Sequence, residues 1–118
     1  TRQGTVYLVR RSDGAMLLET RPDHGLLGGM LGWPGTEWAQ TIPDAAPPLK
    51  ADWHDPKLEV RHTFTHFHLR LRVLLADVAL DAAPDRGSFH PRATFRPASL
   101  PTVMRKAWDV AQGAWQTD

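Results

Sequence analysis

Apolar and polar residues alternate with a period of two through the middle of this chain, around residues 66–73, and a helical period takes over near the C-terminus. Residues 4–10 (G-T-V-Y-L-V-R) are rich in β-branched and aromatic side chains, which predicts a strand. Ser12-Asp13-Gly14 puts Asp and Gly where a tight hairpin needs them, and residues 15–20 (A-M-L-L-E-T) return as the partner strand before Arg21-Pro22 ends it. Residues 58–78 predict two strands, or one long bent one. On an extended strand neighbouring side chains face opposite ways. The odd set Thr65, Phe67, Leu69, Leu71 and Val73 then faces a core. The even set His62, Phe64, His66, His68, Arg70 and Arg72 forms a polar, basic, partly aromatic face suited to a flat anionic partner. Met104, Trp108, Ala111 and Trp115 recur at i, i+4, i+7 and i+11, flanked by Val103, Ala107, Val110 and Ala114. This is the stripe of an amphipathic helix, with Thr102 at its N-cap or in its first turn and Gly113 weakening its end.

The segments between these elements are marked by glycine and proline. Residues 23–35 (D-H-G-L-L-G-G-M-L-G-W-P-G) hold five glycines in eleven residues, yet the spacing is not G-x-G-x-x-G and no Gly-Lys-Ser/Thr follows, so a phosphate loop is excluded. A tight loop leading into a short strand at residues 31–33 is expected. Four prolines in residues 36–57 confine any helix to a turn or two around residues 38–42, with Trp38, Ile42, Leu49 and Trp53 able to pin the connection down. Residues 81–91 read as a turn-rich loop and residues 93–96 as a short strand.

Composition narrows the class. At 118 residues and 42% apolar, this is one globular domain, residues 1–118. The absence of cysteine removes disulfides, thiol nucleophiles and thiolate metal sites. No apolar run approaches a bilayer span and the N-terminus has no signal-peptide pattern, so a cytoplasmic location is expected, without membrane contact. A net charge of +1 gives no compositional sign of nucleic acid. Eleven of the fourteen basic residues are Arg, which suits phosphate but reads first as genomic base composition.

Chemistry concentrates in residues 60–69 (V-R-H-T-F-T-H-F-H-L), which hold three of the six histidines and two of the four phenylalanines. From the residues alone, Phe64 reads as core rather than as an exposed wedge, and Thr63 and Thr65 are ordinary strand formers. His62, His66 and His68 share a face by spacing, but no carboxylate accompanies them, so a metal site is set aside.

Three stretches together, R-P-D-H-G-L-L-G-G-M-L-G-W-P-G, V-R-H-T-F-T-H-F-H-L and L-P-T-V-M-R-K-A-W, resemble the C-terminal domain of A/G-specific adenine DNA glycosylases of the MutY type, over nearly the whole chain. The resemblance implies an α+β fold, a Nudix-like α/β/α sandwich with a mixed, largely antiparallel sheet and a C-terminal helix. It further implies that the chain is the C-terminal part of a longer glycosylase and reads 8-oxoguanine opposite the adenine to be excised in base excision repair. The catalytic domain with its iron–sulfur cluster would lie elsewhere, leaving this domain without catalytic residues, metal or cofactor of its own. Implied partners are duplex DNA bearing 8-oxoguanine:adenine mispairs and that glycosylase domain, with the protein a monomer in a bacterial, nucleoid-associated setting. The family's Phe-Ser-His lesion contact falls on Phe64-Thr65-His66, with Thr in place of Ser.

Those residue types suit the task. Oxidation places a proton on N7 of guanine, turning an acceptor into a donor, and the Thr65 hydroxyl can accept from it. Phe64 has the shape of a wedge between base steps, and His66 can donate to a phosphate or base oxygen. Arg61, His62, His68, Arg70 and Arg72 are candidate phosphate neighbours. Two rivals remain. A Nudix pyrophosphohydrolase would need a glutamate cluster for magnesium, yet only Glu37, Asp44, Asp52 and Asp55 lie between Gly35 and Leu58, and no Glu-Glu pair exists. A protein-docking module would use the glycine-rich loop or the tryptophans. Trp108 and Trp115 read as core, and Trp33, Trp38 and Trp53 are undecided.

Overall fold

The computed structural model describes residues 1–22 and 27–116. Six strands, β1 (Arg2–Arg11), β2 (Met16–Thr20), β3 (Leu31–Gly32), β4 (Glu59–Thr63), β5 (His68–Val78) and β6 (Ser88–His90), precede a single 3₁₀ turn (Pro97–Ser99) and the helix α1 (Thr102–Gln116). They form one mixed sheet in the order β3-β2-β1-β5-β4, with β6 also paired to β2. β1 runs parallel to β5 from Arg2↔Leu69 to Arg11↔Val78, and the remaining pairings are antiparallel. The opening hairpin forms as expected, and Asp13 shapes its turn by accepting the Ala15 N–H. Bidentate hydrogen bonds from Arg11, then the Ala15 N–H, hold the Asp13 carboxyl down at about 2.

β1 is apolar without alternation because both faces of the sheet are covered. On one face Val6, Leu8, Leu69, Leu71, Val73 and Leu75 pack against Val103, Met104, Ala107 and Ala111. Small residues at 107, 111 and 114 let the helix lie close to the sheet. Thr102 stands in the first turn rather than at the cap, since the Pro101 carbonyl accepts from the Met104 and Arg105 amides. On the other face Val9 and Leu17 pack with Leu49 and the partly buried Trp53. The Ala46 amide donates to the Tyr7 hydroxyl at 2.9 Å. A helical second layer, expected from the sandwich, is not what covers this face: α1 is the only α-helix among the described residues, and a proline-rich extended segment takes its place.

Tertiary pairing settles what the prolines left open at residues 38–42, and two local expectations give way. The helical turn around residues 38–42 does not form. β1 pairs with β2 only near its far end, leaving the edge of its first half free. Residues 34–39 fill that edge, with the Tyr7 amide donating to the Pro34 carbonyl and Gln3 and Ala39 exchanging two bonds of 2.7 and 3.0 Å. A stretch this short between prolines gains more from a strand edge than from an isolated helical turn. Gly35 permits the approach, since a Cβ there would lie 2.6 Å from the Thr5 carbonyl oxygen. Ile42 pins nothing and is 72% exposed, whereas Trp38, Leu49 and Trp53 do pack. The strand expected at residues 93–96 lies earlier, as β6, and Pro91 then starts a turn whose Thr94 and Phe95 amides bond its carbonyl. The short strand after the glycine-rich loop is present as β3. The start of that loop, residues 23–26, lies outside the described residues. No helix among the described residues is long and apolar enough to cross a membrane.

Candidate nucleic-acid interface

β4 and β5 form an antiparallel hairpin with Thr63 opposite His68, closed by the Phe64 amide donating to the Phe67 carbonyl at 2.9 Å. The motif is therefore a strand, a four-residue tip and a second strand. Paired residue numbers add to an odd total, so odd positions of β4 share a face with even positions of β5. This corrects the single alternating face read from the sequence. Leu69, Leu71, Val73 and Leu75 do point into the core. Val60 and His62, however, face α1, while Arg61 and Thr63 share the opposite face with His68, Arg70 and Arg72. Phe67, expected in the core-facing strand set, instead sits in the tip and is half-buried.

At the tip the three residues implied by the resemblance divide. Thr65 and His66 are exposed, and Phe64 is half-buried, tilted against Phe67 with ring centroids 5.0 Å apart. His62 and Phe64 meet in a T-shaped arrangement, with centroids 4.7 Å apart and planes at 68°. Lys106 Nζ lies 2.9 Å from His62 Nδ1 and 3.2 Å from the Arg61 carbonyl. An ammonium only donates, so Nδ1 accepts and the ring proton sits on Nε2. Burial, and then the Lys106 charge, push the His62 pKa below 6.5. For a histidine with a lowered folded value, the stabilisation is present above the unfolded pKa and is lost as pH falls through the folded one. An NMR titration of the ring protons should give His62 a midpoint below 6.5, and Lys106→Met should raise it. A His62 midpoint unmoved by that substitution would contradict the contact.

Four of the five candidate phosphate neighbours, Arg61, His62, His68 and Arg70, line one groove of about 300 Å³ beside the tip. Only His62 turns its ring away, toward α1. The arginines are not bare: Arg61 and Arg70 share Glu59, and Arg72 and Lys57 share Asp55. The Arg61 and Arg70 hydrogen bonds lower the Glu59 pKa. Burial works upward on Asp55 but is outweighed by Arg72 and by the Lys57 amide and charge, leaving its carboxyl below its ordinary value. Four cations sharing two carboxylates leave this face with excess positive charge. Arg72, Arg70 and His68 recur along it at about 6.8 Å intervals. Thr63 Oγ1 and His68 Nδ1 are 2.9 Å apart. No group of three or more His, Asp or Glu side chains among the described residues is placed to hold a metal ion.

Lys106 and Arg2 escaped sequence reasoning. Lys106 reaches His62 across 44 positions, and the Arg2 guanidinium lies 4.2 Å from the Phe67 ring centroid. Neither carries a local signal. Of the undecided tryptophans, Trp33 is core, 2% exposed, and Trp38 and Trp53 are half-buried.

Several solved structures share this architecture. The C-terminal domain of mouse MUTYH, crystallised in complex with human PCNA, superposes with a TM-score of 0.65 at 20% identity, covering 98% of this chain and 90% of that one. The MutT protein of Methanosarcina mazei Go1 gives 0.66 at 14% identity, over 96% and 94%. The NUDIX domain of Shewanella oneidensis NrtR, solved with ADP ribose, gives 0.64 at 13%, over 98% and 88%. At these identities the likeness concerns the fold, a mixed sheet with one C-terminal helix. The sequence pattern described as the NUDIX domain matches residues 5–110, most of the chain, and so the protein belongs to the NUDIX domain family.

Proposed function

We propose that this domain recognises 8-oxoguanine opposite adenine for an adenine DNA glycosylase of which it forms the C-terminal part. The observation that carries this reading is the β4–β5 hairpin tip, where the exposed Thr65 hydroxyl and His66 stand beside a braced aromatic ring. Oxidised guanine offers an N7–H donor where guanine has an acceptor, and a hydroxyl can accept from it. The basic face of Arg61, Arg70 and Arg72 borders the same tip and supplies a path for the phosphate backbone. The fold likeness to the mouse MUTYH domain is in keeping with this.

The residues present do not fit the magnesium of a nucleotide hydrolase. Glu37, Asp44, Asp52 and Asp55 are scattered through the proline-rich segment, and Asp55 is engaged by Arg72 and Lys57. No hydrolytic step is assigned to this chain.

Fluorescence anisotropy with labelled duplexes tests the proposal. The 8-oxoguanine:adenine duplex should bind about tenfold more tightly than G:A or T:A, the value of one good base-edge contact. Binding should weaken with salt at a log–log slope of about −2 to −3, for two or three phosphate contacts. Equal affinity for all three duplexes would overturn the reading. Magnesium-dependent release of phosphate or pyrophosphate from oxidised dGTP would replace it with the hydrolase.

A further inference from the structure

Phe64 joins segments that are far apart in sequence. Besides Phe67 and His62, its ring lies on Trp38, with centroids 5.9 Å apart and planes 29° apart. The stack ends in a cation on each side. The Arg21 guanidinium is 4.2 Å from the Trp38 ring centroid, and that of Arg2 is 4.2 Å from the centroid of Phe67. A ladder Arg21–Trp38–Phe64–Phe67–Arg2 therefore runs from the end of β2 to the hairpin tip.

Trp38 is itself held firmly. Its neighbour Ala39 exchanges two backbone bonds with Gln3. Its indole lies on β1 at Gly4, where a Cβ would come within 2.7 Å of Trp38 Cδ1. No other residue at position 4 would leave the indole that place without displacement. Yet Trp38 and Phe64 are only half-buried, so they lie at the margin of the core and not within it. The rigid member of the pair is anchored to the central strand, and the other belongs to the tip.

We infer that Trp38 is the positioning residue of the hairpin tip. By holding Phe64 against an indole fixed on β1, it sets where Thr65 and His66 stand before a base arrives. Ordering a four-residue tip in advance removes that entropy from the binding step. It also makes Phe64, in the free protein, a brace and not a free wedge, because Trp38, Phe67 and His62 already surround it. Trp38 touches no base in this scheme and acts through Phe64. The inference rests on the lesion-recognition reading above.

The test compares Trp38→Leu and Trp38→Phe with wild type. Trp38→Leu should remain folded by thermal melting but lose lesion preference by roughly fivefold to tenfold. Its Thr65 and His66 amides should shift, and their ¹H–¹⁵N NOE values should fall. Trp38→Phe keeps a flat ring and should stay within about twofold of wild type. Unchanged tip amides and unchanged lesion preference in Trp38→Leu would overturn the inference, as would a loss in Trp38→Phe equal to that in Trp38→Leu. Proton NOEs between the Phe64 and Trp38 rings of the wild type provide a measurement independent of any variant, and their absence would also overturn it. If the wild type shows no lesion preference, the recognition reading fails, while the ring NOEs and tip amides still decide whether Trp38 orders the hairpin.

Discussion

Thr65→Ala should bring the affinity for an 8-oxoguanine:adenine duplex down to that for a G:A duplex, a loss of about tenfold, without moving the melting temperature. The size follows from one base-edge contact, worth ~1–3 kcal/mol. The unchanged stability follows from position: Thr65 is exposed in the turn, and such surface substitutions typically stay within ~0.5 kcal/mol. Thr65→Ser keeps the hydroxyl and should keep the discrimination, which separates hydrogen bonding from methyl packing. Phe64→Ala should lose discrimination as well, but at a stability cost of about 1–2 kcal/mol, because its half-buried ring contacts Trp38 and Phe67. In the glycosylase implied by the proposal, both alanine variants should narrow the difference in adenine excision between lesion:A and G:A substrates while basal excision persists. Full discrimination in both would remove the hairpin tip from the recognition site.

Trp33→Ala should be the most destabilising of the tryptophan substitutions, by about 3–5 kcal/mol, or roughly 10–20 °C in melting temperature. Trp33 is 2% exposed, stacks on Trp108 at 5.7 Å and 14°, and meets Phe95 edge-on at 5.8 Å. Its Nε1–H donates to the Met104 carbonyl in the first turns of α1 at 2.9 Å, so one side chain ties the glycine-rich loop to the helix. Truncation would open a large cavity and leave that carbonyl without its side-chain donor. Trp38→Leu, at the margin of the same core, should cost far less stability while affecting the tip. Circular-dichroism melts of the two variants distinguish them: comparable losses would mean that Trp38 is a core residue and that its tie to the tip is incidental.

The elements legible in the sequence were those with a strong local period. The β1–β2 hairpin follows from the run of β-branched residues and the Asp13-Gly14 turn, and α1 follows from the recurrence of Met104, Trp108, Ala111 and Trp115. The core face of β5 is also correctly given by alternation. Misreadings fell where the local signal was weak or where two periods met. Residues 38–42, where the sequence only limited any helix to a turn or two, lay beside the unpaired edge of β1, and the pin expected of Ile42 did not form. Ser88–His90 carried too short a pattern to mark a strand before it paired with β2. The motif at residues 60–69 was visible as a concentration of histidine, threonine and aromatic residues, but treating it as one strand placed His62 on the wrong face.

What the sequence determined by itself is the chemistry available: a cysteine-free chain, no Glu-Glu pair, and a single aromatic–hydroxyl–imidazole trio at residues 64–66. What only the tertiary structure decided is how that chemistry is arranged. The Thr63↔His68 register turns His62 toward α1 and gathers Arg61, Arg70 and Arg72 on the opposite face. Packing across 26 positions puts Trp38 beneath Phe64, and across 44 puts Lys106 on His62. Backbone periodicity acts between near neighbours and can be read residue by residue. Strand register and side-chain stacking depend on segments that meet only once the whole sheet has assembled.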